Sequence, residues 1–305
     1  MRKVTAVVRC ALAMVFILAM LMGVPAISRA QDATPIPTGS VRATPVGPGA
    51  EIATEALATI RLPAATIPPP PAIVDVWLAT LSPGQQLGFA TGASPPSIVV
   101  DVVLSGQLMV LSKGRVQVQN AEGLKEVAPN TVVTIRPGEA IIYIDNQAEQ
   151  TFRNPGRSTL TAVSFGVYSA APPSTFTDGS VSQEDWERSG LAGRDLTVTV
   201  ERLTVPPGAS LPAFVPDVRA PRVFAVAEGV AQAEIVTPGG ATAPVAERFG
   251  AGQVIRFRML GAEERLQLRN TETEPLVLLQ VTLSADDAPT HVPSKLPVQG
   301  PGLRS

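Results

Sequence analysis

The chain has 305 residues, 45% of them apolar and 4% aromatic, with a formal net charge of −2. That length accommodates two domains, each with a core built mainly from Val, Leu, Ile and Ala. The slightly acidic balance argues against a nucleic-acid partner, which normally meets a basic stripe. One cysteine, Cys10, and one histidine, His291, leave thiol and imidazole chemistry almost without residues.

Residues 1–30 read as a signal peptide. Arg2, Lys3 and Arg9 form a positive start, residues 10–27 are uncharged and apolar, and Ser28-Arg29-Ala30 presents small residues to a signal peptidase. Cleavage is expected between Ala30 and Gln31. The alternative is an uncleaved anchor, since the apolar run nearly reaches spanning length; Pro25 and the small-residue site favour cleavage. Cys10 precedes the apolar run, unlike the cysteine of a bacterial lipoprotein. Cleavage would leave a cysteine-free chain with a net charge of about −6, secreted or at the cell surface.

Residues 31–71 are rich in Pro, Thr and Ala and end in Pro68-Pro69-Pro70-Pro71. Their composition predicts a disordered spacer with polyproline character, in which Glu51–Leu62 is the one stretch able to form a short strand or helix. Residues 72–169 alternate short Val-, Ile- and Leu-rich runs with turn signals such as Ser82-Pro83-Gly84 and Arg136-Pro137-Gly138, the pattern of an all-β barrel or sandwich. Residues 170–193 read as a connector with a short helix, opened by Ser182 and stopped by Gly190, with Trp186 as a packing anchor. A second β-rich segment spans 194–284. Residues 285–305, which include His291, read as a disordered tail.

The two β-rich segments are copies of one another. Leu81-Ser82-Pro83-Gly84-Gln85-Gln86-Leu87 returns as Val205-Pro206-Pro207-Gly208-Ala209-Ser210-Leu211, Pro137-Gly138-Glu139 as Ala251-Gly252-Gln253, and Phe152-Arg153-Asn154 as Leu268-Arg269-Asn270. A separation this long marks two related domains rather than a solenoid. Within each copy an apolar strand meets a glycine turn, at Val102–Val110 around Gly106 and at Ala225–Ala233 around Gly229. A Pro-Gly or Ala-Gly start then leads to an asparagine before the final strand.

Each copy thereby resembles a cupin. The resemblance implies an all-β chain of two tandem jelly-roll barrels, a bicupin. Metal-binding cupins carry histidines and a glutamate at positions that fall near Ser94, Pro96 and Val99 in the first copy, and near Val215, Asp217 and Arg222 in the second. The last histidine falls at Glu149 or Gln150, and at Leu266. These residues supply no converging imidazole, thiolate or carboxylate set, so a metal-free protein without a cofactor is expected.

The remaining candidates point to an anion. Arg256 and Arg258 alternate with Ile255 and Phe257, so on a strand they share a face. The first copy has Ile142 and Ile144 there. With Arg222, the two arginines are able to hold a small anionic ligand; the competing reading is a solvated face paired with Glu263, Glu264 or Asp217. Glu149 and Gln150 are candidate ligand contacts, although Asp145–Glu149 also reads as a solvated loop. Gly239-Gly240 reads as a hairpin turn rather than a phosphate loop.

The expected function is that of a secreted, non-catalytic binding or structural module. One alternative is a metal-independent cupin-type enzyme, epimerase- or isomerase-like, acting on a carbohydrate or other small anionic substrate. Another is a cell-surface module for polysaccharide or protein. No nucleic acid is expected as a partner, the membrane enters only through an uncleaved signal segment, and self-association follows from the resemblance. Sequencing the N-terminus of exported protein should return Gln31 first; an intact Met1 on a membrane-bound product would identify an anchor.

Overall fold

The computed structural model describes residues 51–92, 97–170, 179–237, 246–261 and 263–285. The signal segment with Ala30 and Gln31, Ser94, Pro96, Gly239-Gly240 and His291 lie outside them.

The chain begins with β1 (Ala53–Leu62). The first lobe follows as β2 (Ala72–Leu81), β3 (Gln86–Phe89), β4 (Ser97–Ser105), β5 (Leu108–Ser112), β6 (Val116–Asn120), β7 (Gly123–Val127), β8 (Val132–Ile135), β9 (Ala140–Tyr143), β10 (Gln150–Arg153) and β11 (Leu160–Ser169). Helix α1 (Gln183–Ser189) leads into the second lobe. That lobe comprises β12 (Leu196–Val205), β13 (Arg222–Glu228), β14 (Val230–Val236), β15 (Ala246–Gly250), β16 (Val254–Ile255), β17 (Arg265–Asn270) and β18 (Leu276–Ala285).

Both lobes are jelly rolls. In the first, one sheet runs β2-β11-β4-β9 and its facing sheet β3-β10-β5-β8, with the β6-β7 hairpin added beyond β9. In the second, the matching sheets are β12-β18-β13-β16 and β15-β14-β17. The latter is completed by single bridges Ser210↔Arg269 and Phe214↔Leu266, where a full strand stands in the first lobe. All pairings are antiparallel, and this double Greek-key order defines a jelly roll.

The repeat marks equivalent joints. Gly106 and Gly229 have φ of 76° and 82°, and each lies against the start of the last strand, where an added Cβ would meet the Leu160 Cα at 2.8 Å or the Leu276 Cα at 3.3 Å. Only glycine satisfies both the positive φ and the close approach. Asn154 and Asn270 are both fully buried. Asn154 donates from Nδ2 to the Leu81 and Ser158 carbonyls at 2.9 and 2.8 Å and accepts at Oδ1 from the Gly156 amide at 2.9 Å. Asn270 makes the same three bonds with Val205, Glu274 and Glu272, at 2.9, 2.8 and 3.0 Å.

The lobes are not independent barrels. The large sheets turn their outer faces toward one another, and 27 buried side chains form the core between them, more than the 13 and 11 in the two barrel interiors together. Val100, Val102, Val163, Phe165 and Val167 meet Val198, Val200, Val223, Leu279 and Val281 there. The connector seals one side: Ser182 caps α1 by accepting from the Asp185 amide at 3.1 Å, Gly190 ends it at φ 66°, and Trp186 is fully buried.

Within the expected spacer, the stretch singled out as able to form a strand does so: β1 pairs with β12 at nine positions around a bulge at Leu57 and extends the second lobe's large sheet, although it precedes the first lobe in the chain. Its polar residues face solvent, while Ile60 and Leu62 enter the shared core, so an apolar edge of β12 is covered and its backbone groups are paired.

Replacing Asn154 by Ala removes three bonds at once and leaves the buried Leu81 carbonyl without its side-chain donor. Asn154→Ala should lower unfolding free energy by about 3 kcal/mol in urea titration, and Asn270→Ala by a similar amount. A loss under about 1 kcal/mol in both would refute the stapling role.

Candidate functional site

The second barrel opens at one end into a pocket of about 280 Å³. Its floor is the large sheet. Glu201 on β12 pairs with Gln280 on β18, Gln280 with Phe224 on β13, and Arg222 follows two residues along. Thr54 of β1, opposite Leu203, supplies one wall. Leu211, Pro212 and Phe214, in the stretch before β13, supply the other.

The polar groups are oriented by one another. Gln280 Nε2 donates to Glu201 Oε2 at 2.8 Å and to Thr282 Oγ1 at 3.3 Å. The Arg222 guanidinium carbon lies 5.7 Å from the Phe214 ring centroid. At that distance the cation is attracted to the ring face, which holds the guanidinium beside Phe214 at the pocket wall. Phe214 in turn packs against Phe224, with centroids 5.8 Å apart.

The first barrel differs inside. Asp101 on β4 accepts from the Tyr143 hydroxyl at 2.9 Å and from the Ser164 hydroxyl. Asp101 is 8% exposed and its two partners 1% each, so this carboxyl is closed off from solvent. Burial raises its pKa above the ordinary carboxylate value, opposed by the bonds from Ser164 and Tyr143. The Tyr143 phenol is pushed well up by burial and by the Asp101 charge. Tyr168, with its ring 6.3 Å from Trp77, is also raised by burial and by Asp75 and Asp101. Asp75 accepts from the Ser180 hydroxyl at 2.7 Å; burial raises its pKa, while Ser180, the Val76 amide and the charge of Arg256 lower it.

The repeat allows position-by-position comparison. The Gly138 amide bonds the Val103 carbonyl and the Gly252 amide that of Val226, so Asp101 matches Phe224. The asparagine bonds to Leu81 and Val205 match Trp77 with Glu201. The close contacts of Gly106 and Gly229 with Leu160 and Leu276 match Ser164 with Gln280. Each barrel therefore holds a carboxylate bonded to the same position of its last strand, but on different neighbouring strands.

Of the residues proposed from sequence, only Arg222 lines the pocket. Asp217 is exposed and accepts from the Arg219 amide at 2.9 Å, a local turn. Glu149 is exposed and bonds Lys113 Nζ at 2.7 Å. Gln150 is buried, bonding Asn146 at 3.3 Å. Strand β16 ends at Ile255, before Arg256 and Arg258, which are both exposed beside buried Ile255 and Phe257. Arg256 acts on Asp75 of the first lobe, a carboxylate partner outside the set expected from sequence.

Asp101, Tyr143, Ser164, Glu201 and Gln280 were not singled out from sequence. Asp101 carried a legible signal, a lone charge within Ile98-Val99-Val100-Asp101-Val102-Val103. Glu201 and Gln280 carried none, because alternating polar residues on a strand look solvated. Among the described residues no three His, Cys, Asp or Glu side chains cluster as metal ligands.

No family model and no curated protein matches the chain. Solved structures similar to it include a vicilin from Solanum melongena at 14% identity, covering 70% of this chain and 76% of that one with TM-score 0.39. Another is AerE from Microcystis aeruginosa, at 12% identity over 69% and 87%, TM-score 0.36. A third is Bacillus subtilis oxalate decarboxylase, at 14% over 67% and 68%, TM-score 0.34. Similarity this distant carries no ligand, metal or reaction to this chain; the jelly-roll assignment rests on strand order and register.

Because Asp101 has a raised folded-state pKa, the native chain holds this proton more tightly than the unfolded one. That stabilisation is complete below the ordinary value of 3.8 and is lost as pH rises through the raised value. Asp101→Asn keeps partners for Tyr143 and Ser164 without the charge. The melting temperature of the wild type relative to this variant should therefore fall as pH climbs above 4; a constant difference across the acid range would disprove the assignment.

Proposed function

We propose that this cupin-like, two-barrel protein is an exported binding module without catalysis of its own, and that it holds a small polar ligand at the mouth of the second barrel. The contrast between the barrels carries the reading. The second has an open pocket with an arginine held beside Phe214 and a carboxylate–amide pair on its floor, the few convergent polar groups in an apolar setting that suit a ligand. In the first, the interior carboxyl is hydrogen-bonded twice and closed off. Export is supported by the positive start, apolar run and small-residue site of residues 1–30.

A second reading is acid–base catalysis without metal in the first barrel. It is favoured by one observation, a raised carboxyl beside a raised phenol in Asp101 and Tyr143. It requires substrate to reach a carboxyl that is 8% exposed, which ranks it below the binding reading.

Thermal unfolding of the mature protein with small anions, cations, zwitterions and neutral sugars at millimolar concentration separates the two. Binding to the native state must raise the melting temperature. At least one charged class should do so by several degrees, with the rise lost in Phe214→Ala and kept in Asp101→Asn. No rise with any class, or a rise lost in Asp101→Asn alone, would overturn the assignment to the second barrel.

A further inference from the structure

We infer that the pocket of the second barrel selects a small zwitterion, with a carboxylate at Arg222 and an ammonium at Glu201 separated by several bonds. The inference rests on the binding reading above and specifies its ligand. Both signs of charge line the same cavity. Among the described residues neither is cancelled by the other: no ion pair joins Glu201 to Arg222, and no carboxylate pairs with the Arg222 guanidinium.

The register sets the spacing. From Glu201 to Arg222 the floor crosses Gln280 and Phe224 and then runs two residues along β13. Two inter-strand steps and two residues place the Cα atoms roughly 12 Å apart. By register Gln280 and Thr282 of β18 lie between the two charged residues, Phe224 is level with Glu201, and Leu203 lies beyond Glu201 on the side away from Arg222; Phe214 and Leu211 complete the apolar lining.

Each end is prepared for its partner. The contact with Phe214 holds the Arg222 guanidinium at the pocket wall, where it can grip a carboxylate through two N–H groups. Gln280 occupies Glu201 Oε2 and leaves Oε1 to accept from a ligand N–H. Gln280 Nε2 is committed to Glu201 and Thr282, so its own Oε1 is a further acceptor at the ammonium end.

The charge balance decides the class. A simple anion satisfies Arg222 and is repelled by Glu201; a simple cation meets the reverse. A neutral molecule covers both charges without pairing either, which costs their hydration. Only a ligand of opposite end charges leaves neither unpaired, so the wrong-sign residue at each end acts as the discriminating element.

The probe is 5-aminopentanoate, with pentanoate and pentylamine as single-charge controls, measured by calorimetry and thermal shift on the mature protein. The wild type should bind 5-aminopentanoate at least tenfold more tightly than either control. Glu201→Gln should erase that preference and let pentanoate bind as well as the zwitterion. Arg222→Gln should weaken 5-aminopentanoate at least tenfold, with circular dichroism and melting temperature of the free protein unchanged. Pentanoate binding the wild type as tightly as the zwitterion would overturn the inference and leave the binding reading standing. So would a Glu201→Gln variant with unaltered preference. If the wild type binds none of the three, the inference fails, and the screen across charge classes decides the binding reading separately.

Discussion

The described fold depends on two large sheets whose outer faces are apolar and meet in one shared core, while their inner faces line the two barrels. Seven consecutive residues of β4, Ser97 to Val103, are buried, because odd and even positions enter different cores. One set fills the first barrel and the other meets the second lobe. A strand covered on both sides reads as a continuous apolar run rather than an alternating one. A large buried side chain contributes roughly 1.5–3 kcal/mol, so the shared core outweighs either interior, and neither lobe can lose its partner without exposing an apolar sheet.

That arrangement frees the barrel interiors to diverge. The turn glycines and the buried asparagines recur in both lobes because they hold strand ends that every jelly roll must join. Interior positions carry no such duty. Asp101 in one lobe matches Phe224 in the other, and Trp77 matches Glu201. The first lobe closes on its carboxylate through Tyr143 and Ser164. The second leaves its carboxylate at the pocket, where Gln280 donates to one of its oxygens. Strand β1 belongs to this divergence: it widens the second lobe's sheet and brings Thr54 to the pocket wall.

The shared core also explains the arginines after β16. Their first-lobe counterparts, Ile142 and Ile144, lie where β9 is flanked by both β4 and β6, and Ile142 is buried in the shared core. Strand β16 is the outer edge of its sheet, so Arg256 reaches solvent and the field of Asp75 instead of a closed core. The isoleucine-to-arginine difference between the repeats thus coincides with a difference in strand neighbours, β9 being flanked on both sides and β16 on one.

The sequence by itself determined the β class, the two-fold repeat and the joints of the jelly roll. Those features rest on local chemistry: turn residues, short apolar runs, and an asparagine that bonds its own turn. It also placed Arg222 among the candidates. What it could not determine were contacts between residues far apart in the chain. The pairing of β1 with β12 joins segments some 150 residues apart, and the polar alternation of Ala53–Leu62 resembles a spacer until its partner is present. Glu201, Gln280 and Arg222 become one pocket only through the strand order β12-β18-β13. Asp101 becomes a closed carboxyl only when Tyr143 and Ser164 are folded against it. Composition and periodicity report which face a residue prefers; only tertiary pairing decides what stands opposite it.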